Sequence, residues 1–110
     1  MAFVSPIPCP FNYGSVLETL APDGDPMDAV VLGARVARGE VITATAWGWA
    51  EFTDRGVADP KLICTVSGQP PGPTALRGIA RFFRLYARCK RLLYAAGGSR
   101  QPTRFEGLRP

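Results

Sequence analysis

Carboxylates are concentrated in one short stretch, where Asp23, Asp25 and Asp28 fall within six residues. The stretch, Asp-Gly-Asp-Pro-Met-Asp at 23–28, has the Gly and Pro of a tight turn and leads into an apolar segment. Mg²⁺ prefers oxygen ligands, and carboxylates on a rigid turn can supply several. Spacing excludes a calcium-binding EF-hand loop, because position twelve counted from Asp23 is Ala34. The sequence therefore predicts either a magnesium-binding loop or a surface turn built from the same residue types.

A second acidic pair, Asp54 and Asp59, flanks another turn, and Lys61 follows two residues later. If both loops lie at the same end of a small barrel, their carboxylates converge. Like charges that close repel strongly unless metal ions lie between them. Lys61, at the start of a predicted strand, would then contact an anion beside the metals. If the loops meet, the pair predicts a combined metal and anion site; otherwise these residues are those of an ordinary turn.

Charge is unevenly distributed along the 110 residues, although the net charge is only +4. Residues 1–34 contain four acidic residues and no Lys or Arg, whereas residues 77–110 contain nine basic residues and one acidic residue. This separation is typical of a site with a metal on one side and an anion on the other, and also of a nucleic-acid-binding tail. Three cysteines without a Cys-x-x-Cys pair, and no histidine, argue against a zinc site or a disulfide scaffold.

The length and the N-terminus indicate the class of protein. A chain of 110 residues is the size of one small domain. Its N-terminus has no basic region ahead of an apolar one, so no signal peptide is expected. No apolar run reaches the roughly 18 residues of a membrane span. We expect a soluble, cytoplasmic protein.

Three β-rich segments and one helix are predicted to position the acidic loops. Strands are expected at 29–36, 41–54 and 61–66, which are rich in β-branched and aromatic residues and separated by turn-like segments. Apolar residues then recur at helical spacing through 74–96. The prediction is an α+β fold with a β-meander and one long C-terminal amphipathic helix, followed by a flexible tail at 97–110.

A stripe of arginines follows the polar face of the predicted helix. Its members are Arg77, Arg81, Arg84, Arg88 and Arg91, spaced three or four residues apart. A solvated basic face is the favoured interpretation. Nucleic-acid binding rests on charge alone, since Trp47 and Trp49 lie in a predicted strand where core packing explains them.

Several short motifs follow one another along the chain at defined separations. Asn-Tyr-Gly at 12–14 precedes the 23–28 block by nine residues, counted from Gly14 to Asp23. Thr53-Asp54, Asp59 and Lys61 follow, and then Ile-Ala-Arg-Phe-Phe-Arg-Leu-Tyr at 79–86. These motifs resemble those of the soluble (family I) inorganic pyrophosphatases, cytoplasmic enzymes built on a small OB-like β-barrel with helices. The resemblance implies a pyrophosphatase-like domain at 1–96.

The resemblance also implies a role for each matching residue. It makes Asp25 the base that helps deprotonate the attacking water, and it implies Mg²⁺ as cofactor. The metal ligands would be Asp23, Asp28, Asp54 and Asp59. The phosphate contacts would be Tyr13, Lys61 and Tyr86. The implied reaction is Mg²⁺-dependent hydrolysis of inorganic pyrophosphate to two phosphates. The alternative is a catalytically impaired homologue that keeps metal or phosphate binding as a partner or binding subunit.

The chain also departs from the family pattern. Cys9 stands where the family has a tyrosine, and Ala87 replaces the lysine that normally follows the helix tyrosine. Lys90, one helical turn beyond Tyr86, is a candidate replacement for that lysine. The family's N-terminal strand would precede Met1, which leaves a strand edge exposed. Either an upstream start of translation supplies that strand, or a second subunit covers the edge in a homo-oligomer.

Overall fold

Six strands and one helix make up the fold in the computed structural model, which describes residues 11–17, 27–37, 39–98 and 101–110. In chain order they are β1 (Asn12–Ser15), β2 (Asp28–Leu32), β3 (Thr45–Asp54), β4 (Val57–Ala58), β5 (Lys61–Thr65), α1 (Pro73–Ala96) and β6 (Arg104–Arg109). The predicted α+β class, with one sheet and one long helix, is confirmed.

The strand order differs from that of a simple meander. The sheet runs β1-β2-β5-β3-β4, and β6 pairs with β3. Strand β5 lies between β2, to which it is parallel, and β3, to which it is antiparallel. Its residues are almost all buried, and a strand of that kind is stable only in the interior of a sheet. The register places Asp28 opposite Lys61, so the first residues of β2 and β5 are neighbours.

Helix α1 covers the sheet with an aromatic face. It begins with Pro73 in its first turn and ends before Gly97, as the residue types predict. Its buried residues are Ile79, Ala80, Phe82, Phe83, Tyr86 and Ala87. All of these except Ala80 belong to one core with Val30, Phe52 and Ile63 of the strands. In the described parts of the chain, no helix is long and apolar enough to cross a membrane.

The expectation of a flexible tail is wrong for residues 104–109. They form β6, which is antiparallel to β3. Phe105 stacks on Phe83 with ring centroids 6.1 Å apart, and Leu108 packs against the same core. The segment is mostly polar, so its composition did not indicate that Phe105 and Leu108 would complete the core.

The segment that leads into β6 is anchored by Thr103. This residue is 1% exposed, and its Oγ1 accepts a hydrogen bond from the Arg55 backbone N–H at 3.0 Å. Its carbonyl oxygen accepts another from the Arg91 side chain at 3.0 Å. Arg55 has a positive φ of 48° in the tight turn between β3 and β4. Thr103 therefore connects the end of the chain to the turn that follows Asp54.

Replacing Thr103 with valine should destabilise the fold. The variant keeps the side-chain shape but leaves the Arg55 N–H unsatisfied, which costs about 1–3 kcal/mol of unfolding free energy. Urea unfolding followed by circular dichroism measures the difference. Thr74→Val, at an exposed helix position, is the matched control and should change stability by less than about 0.5 kcal/mol. Equal effects of the two substitutions would contradict the anchoring role.

Candidate active site

A buried lysine joins two of the candidate metal ligands. Lys61 Nζ lies 2.9 Å from Asp28 Oδ2 and 2.6 Å from Asp59 Oδ2. Lys61 is 3% exposed, and each aspartate is 8% exposed. Burial lowers the pKa of Lys61, but the two carboxylates outweigh it and raise that pKa above its ordinary value. Lys61 is therefore a permanent cation between two carboxylates at the adjacent starts of β2 and β5.

Tyr13 completes this group, which we call the Lys61 cluster (Tyr13, Asp28, Asp59 and Lys61). Strand β1 pairs with β2 and so brings the Tyr13 ring to 5.9 Å from Lys61 Nζ. Burial, together with the charges of Asp28 and Asp59, raises the pKa of the Tyr13 phenol far above its ordinary value. Tyr13 therefore keeps its proton at any physiological pH and remains a hydrogen-bond donor.

A second group surrounds Lys90 and is called the Lys90 cluster (Asp54, Tyr86, Lys90 and Tyr94). Lys90 Nζ lies 2.9 Å from Asp54 Oδ2, 5.0 Å from the Tyr86 ring centroid and 5.5 Å from that of Tyr94. Burial raises the pKa of Asp54, but the contact with Lys90 outweighs it and holds the pKa below its ordinary value. Asp54 is therefore an ionised carboxylate at neutral pH.

The second carboxylate oxygen of Asp54 has a different environment. Within the described ranges, Oδ1 is buried and makes no hydrogen bond. Buried carboxylate oxygens normally have a partner, because desolvation without one is unfavourable. The fold thus holds a buried acceptor oxygen that makes no hydrogen bond, on a carboxylate whose neighbours include Lys90 and Tyr94. An oxygen of this kind fits a hard cation.

The two clusters are neighbours across the aromatic core. The Phe52 ring lies 5.8 Å from Lys61 Nζ and 5.7 Å from the Tyr86 ring centroid. Burial raises the pKa of Tyr86, and the nearby Lys61 and Lys90 charges only partly oppose this. Tyr86 therefore also stays protonated. The charges of both lysines, Lys61 and Lys90, act on the Tyr86 phenol.

The predicted site residues divide into three sets. Asp28, Asp59, Lys61 and Tyr13 come together in the Lys61 cluster, and Asp54 and Tyr86 meet in the Lys90 cluster. Asp23 and Asp25 lie outside the described residues, so the position of the 23–28 turn as a whole stays a prediction. Among residues the structure describes, no three Cys, Asp or Glu side chains form a group that could hold a metal ion.

Tyr94 is the residue of this region that the sequence interpretation missed. Its ring contacts two cations: the Arg55 guanidinium lies 4.7 Å from the ring centroid and Lys90 Nζ lies 5.5 Å from it. Tyr86, Lys90 and Tyr94 are spaced by four residues and so share one helical face. That spacing was the available signal.

The arginine stripe of α1 lies outside both clusters. All five of its side chains belong to exposed residues, as a solvated face requires. Arg84 lies 5.8 Å from the Phe105 ring centroid, and Arg91 contacts Thr103. Part of the stripe therefore supports the C-terminal segment.

An apolar cavity of about 310 Å³ lies apart from the two clusters. Its lining includes Trp47, Pro70, Pro71, Leu76 and Leu108, and none of the candidate site residues. It offers no group for acid–base or metal chemistry. The two lysine clusters therefore remain the candidate site.

Comparison with known proteins decides the family. The family model described as inorganic pyrophosphatase matches residues 2–96. The chain belongs to the inorganic pyrophosphatase family. An inorganic pyrophosphatase of Synechocystis sp. is 36% identical over 94 residues, which cover 74% of this chain and 55% of the relative. A soluble inorganic pyrophosphatase of Oryza sativa subsp. indica is 36% identical over 90 residues, covering 72% and 42% respectively.

Solved pyrophosphatase structures share the fold. The enzyme of Helicobacter pylori superposes with a TM-score of 0.70 at 27% identity, over 91% of this chain and 62% of that one. The pyrophosphatase of Thermus thermophilus gives a TM-score of 0.70 at 27% identity, over 91% and 60%. The chain thus spans about half the length of the curated pyrophosphatases it matches, or somewhat less.

Proposed function

We propose that the protein hydrolyses inorganic pyrophosphate to two phosphates with Mg²⁺ as the cofactor. The observation that carries the proposal is the Lys61 cluster, in which Lys61 Nζ contacts both Asp28 and Asp59 beside Tyr13. It combines buried carboxylates with a cation and a phenol donor. Such a set suits a reaction in which a polyanion is bound beside metal ions.

The proposed metal ligands have the chemistry that Mg²⁺ requires. They are Asp23, Asp28, Asp54 and Asp59. All are carboxylates, and Asp54 Oδ1 is a buried acceptor that makes no hydrogen bond in the described structure. When bound, Mg²⁺ supplies positive charge that activates the attacking water and neutralises the leaving phosphate. Divalent-metal chemistry of this type needs no covalent nucleophile from the protein.

The remaining roles follow from the state of each side chain. Lys61, as a permanent cation, would bind a phosphate oxygen. Tyr13 and Tyr86 would donate hydrogen bonds to phosphate, because burial keeps both phenols protonated. Asp25 would accept the proton of the attacking water. These residues position the substrate and remove one proton.

The alternative, a catalytically impaired binding subunit, draws only on the departures from the family pattern at Cys9 and Ala87. The proposed enzyme would be cytoplasmic, as the resemblance implies, and a homo-oligomer if a second subunit covers the exposed strand edge. The alternative is kept as one result of the assay below.

Phosphate release from pyrophosphate by the purified protein tests the proposal. We expect turnover in excess Mg²⁺, loss of turnover when EDTA removes the metal, and recovery when Mg²⁺ is restored. A preparation that binds Mg²⁺ but releases no phosphate would contradict the proposed function. It would favour the binding subunit instead.

A further inference from the structure

Lys90 is an ammonium group held in a confined place at the edge of the candidate site. Its side chain is 19% exposed, as is that of its partner Asp54. The flanking rings of Tyr86 and Tyr94 lie 5.0 Å and 5.5 Å from Nζ. A charge placed between two aromatic rings and a carboxylate is oriented rather than free in solvent. Lys90 therefore occupies a defined position next to a proposed metal ligand.

The charge balance of the Lys90 cluster changes when a divalent cation binds. In the present structure, Lys90 neutralises Asp54. A metal ion on Asp54 would place a second positive charge beside the same carboxylate, and like charges that close repel. The ammonium would then be favoured to turn toward an anion. In this site, the anion that accompanies the metal is phosphate.

We propose that Lys90 exchanges partners during binding, leaving Asp54 when Mg²⁺ binds there and taking a phosphate oxygen of the substrate instead. This inference rests on the proposed function and adds a substrate-binding residue to it. Lys90 acts as a counterion in the metal-free protein and as a phosphate ligand in the loaded one.

Lys61 already has a proposed phosphate contact, and it is shared between two proposed metal ligands, Asp28 and Asp59. Lys90 differs because Asp54 is its one ion-pair partner among the described residues. Ala87, where the family pattern has lysine, is 1% exposed and packs in the core. Arg55 stacks on Tyr94 from the turn after β3. Lys90 alone of these contacts both a single proposed metal ligand and the ring of Tyr86.

The affinities of the Lys90→Met variant for Mg²⁺ and for inorganic phosphate test the exchange. Without the competing ammonium, Mg²⁺ alone should bind about threefold more tightly to the variant by isothermal titration calorimetry. Inorganic phosphate, titrated in saturating Mg²⁺, should bind about 10-fold more weakly, because one charge-assisted contact is lost. Methionine keeps the packing against the two tyrosine rings.

Matched variants separate the exchange from general effects. Lys90→Arg keeps the positive charge, so it should leave the Mg²⁺ affinity unchanged and keep the phosphate affinity within about threefold of the wild type. Arg88→Met removes an exposed cation of the same helix and should leave both unchanged. Opposite shifts of the two affinities in Lys90→Met support the exchange. Shifts in the same direction, or no shift in either affinity, overturn it.

The outcomes also distinguish this inference from the proposed function. A wild-type protein that hydrolyses pyrophosphate while Lys90→Met keeps both affinities would overturn the exchange alone. Opposite affinity shifts in a protein that releases no phosphate would support the exchange and contradict the hydrolysis.

Discussion

Replacing Lys61 with methionine is expected to lower the free energy of unfolding by about 3–5 kcal/mol. The substitution leaves Asp28 and Asp59 buried side by side without their shared cation. Breaking a buried ion pair by removing one partner is strongly unfavourable, because the remaining charge keeps its desolvation cost. Small domains have total stabilities of only about 5–15 kcal/mol, so the loss would be a large fraction.

Urea unfolding in the presence of EDTA measures this effect without metal ions. Arg88→Met is the surface control and should stay within about 0.5 kcal/mol of the wild type. A triple variant that also carries Asp28→Asn and Asp59→Asn should recover much of the lost stability, since no buried charge remains. If Lys61→Met proves as stable as the surface control, Lys61 does not hold the two carboxylates as described.

Asp28→Asn is expected to separate activity from stability. The Lys61 cluster has two carboxylates and one ammonium, so the substitution removes an excess negative charge while Lys61 keeps its contact with Asp59. Stability in EDTA should therefore stay within about 1 kcal/mol of the wild type or rise. Pyrophosphate hydrolysis should fall at least about 100-fold, because even outer-shell partners of a metal site have effects approaching that size.

The same preparation serves for both measurements on Asp28→Asn. Urea unfolding gives the stability, and phosphate release in excess Mg²⁺ gives the activity. Asp28 would lose its proposed role as a metal ligand if the variant kept more than about a tenth of the wild-type rate. A large loss of stability in EDTA would show instead that the fold requires this carboxylate.

Local patterns predicted the elements of the fold but not their arrangement. Pro73, the helical spacing of Ile79, Phe82 and Tyr86, and Gly97 mark α1 in the sequence. The position of β5 between β2 and β3 depends on long-range pairing, which strand propensity does not encode. Strand β6 was missed because its two apolar residues, Phe105 and Leu108, are separated by Glu106 and Gly107 and flanked by arginines. The segment becomes a strand through its pairing with β3, a contact between parts of the chain about 55 residues apart.

The sequence also predicted only part of the candidate site, because local motifs identify residues but do not encode long-range contacts. The resemblance singled out Asp28, Asp59 and Lys61, and the parallel register of β2 with β5 brings them together. Tyr94 belongs to no family motif, and its four-residue spacing from Lys90 was the one sequence signal that placed it on the same helical face. Lys90 and Asp54 are 36 positions apart in the sequence, so the residue spacing within α1 could not predict that they pair.

The most direct test is phosphate release from pyrophosphate in excess Mg²⁺ by the wild type and Asp28→Asn side by side. The proposed function predicts sustained release by the wild type and a rate at least about 100-fold lower for the variant. Equal rates in the two proteins, or no release by a folded wild type, would contradict it.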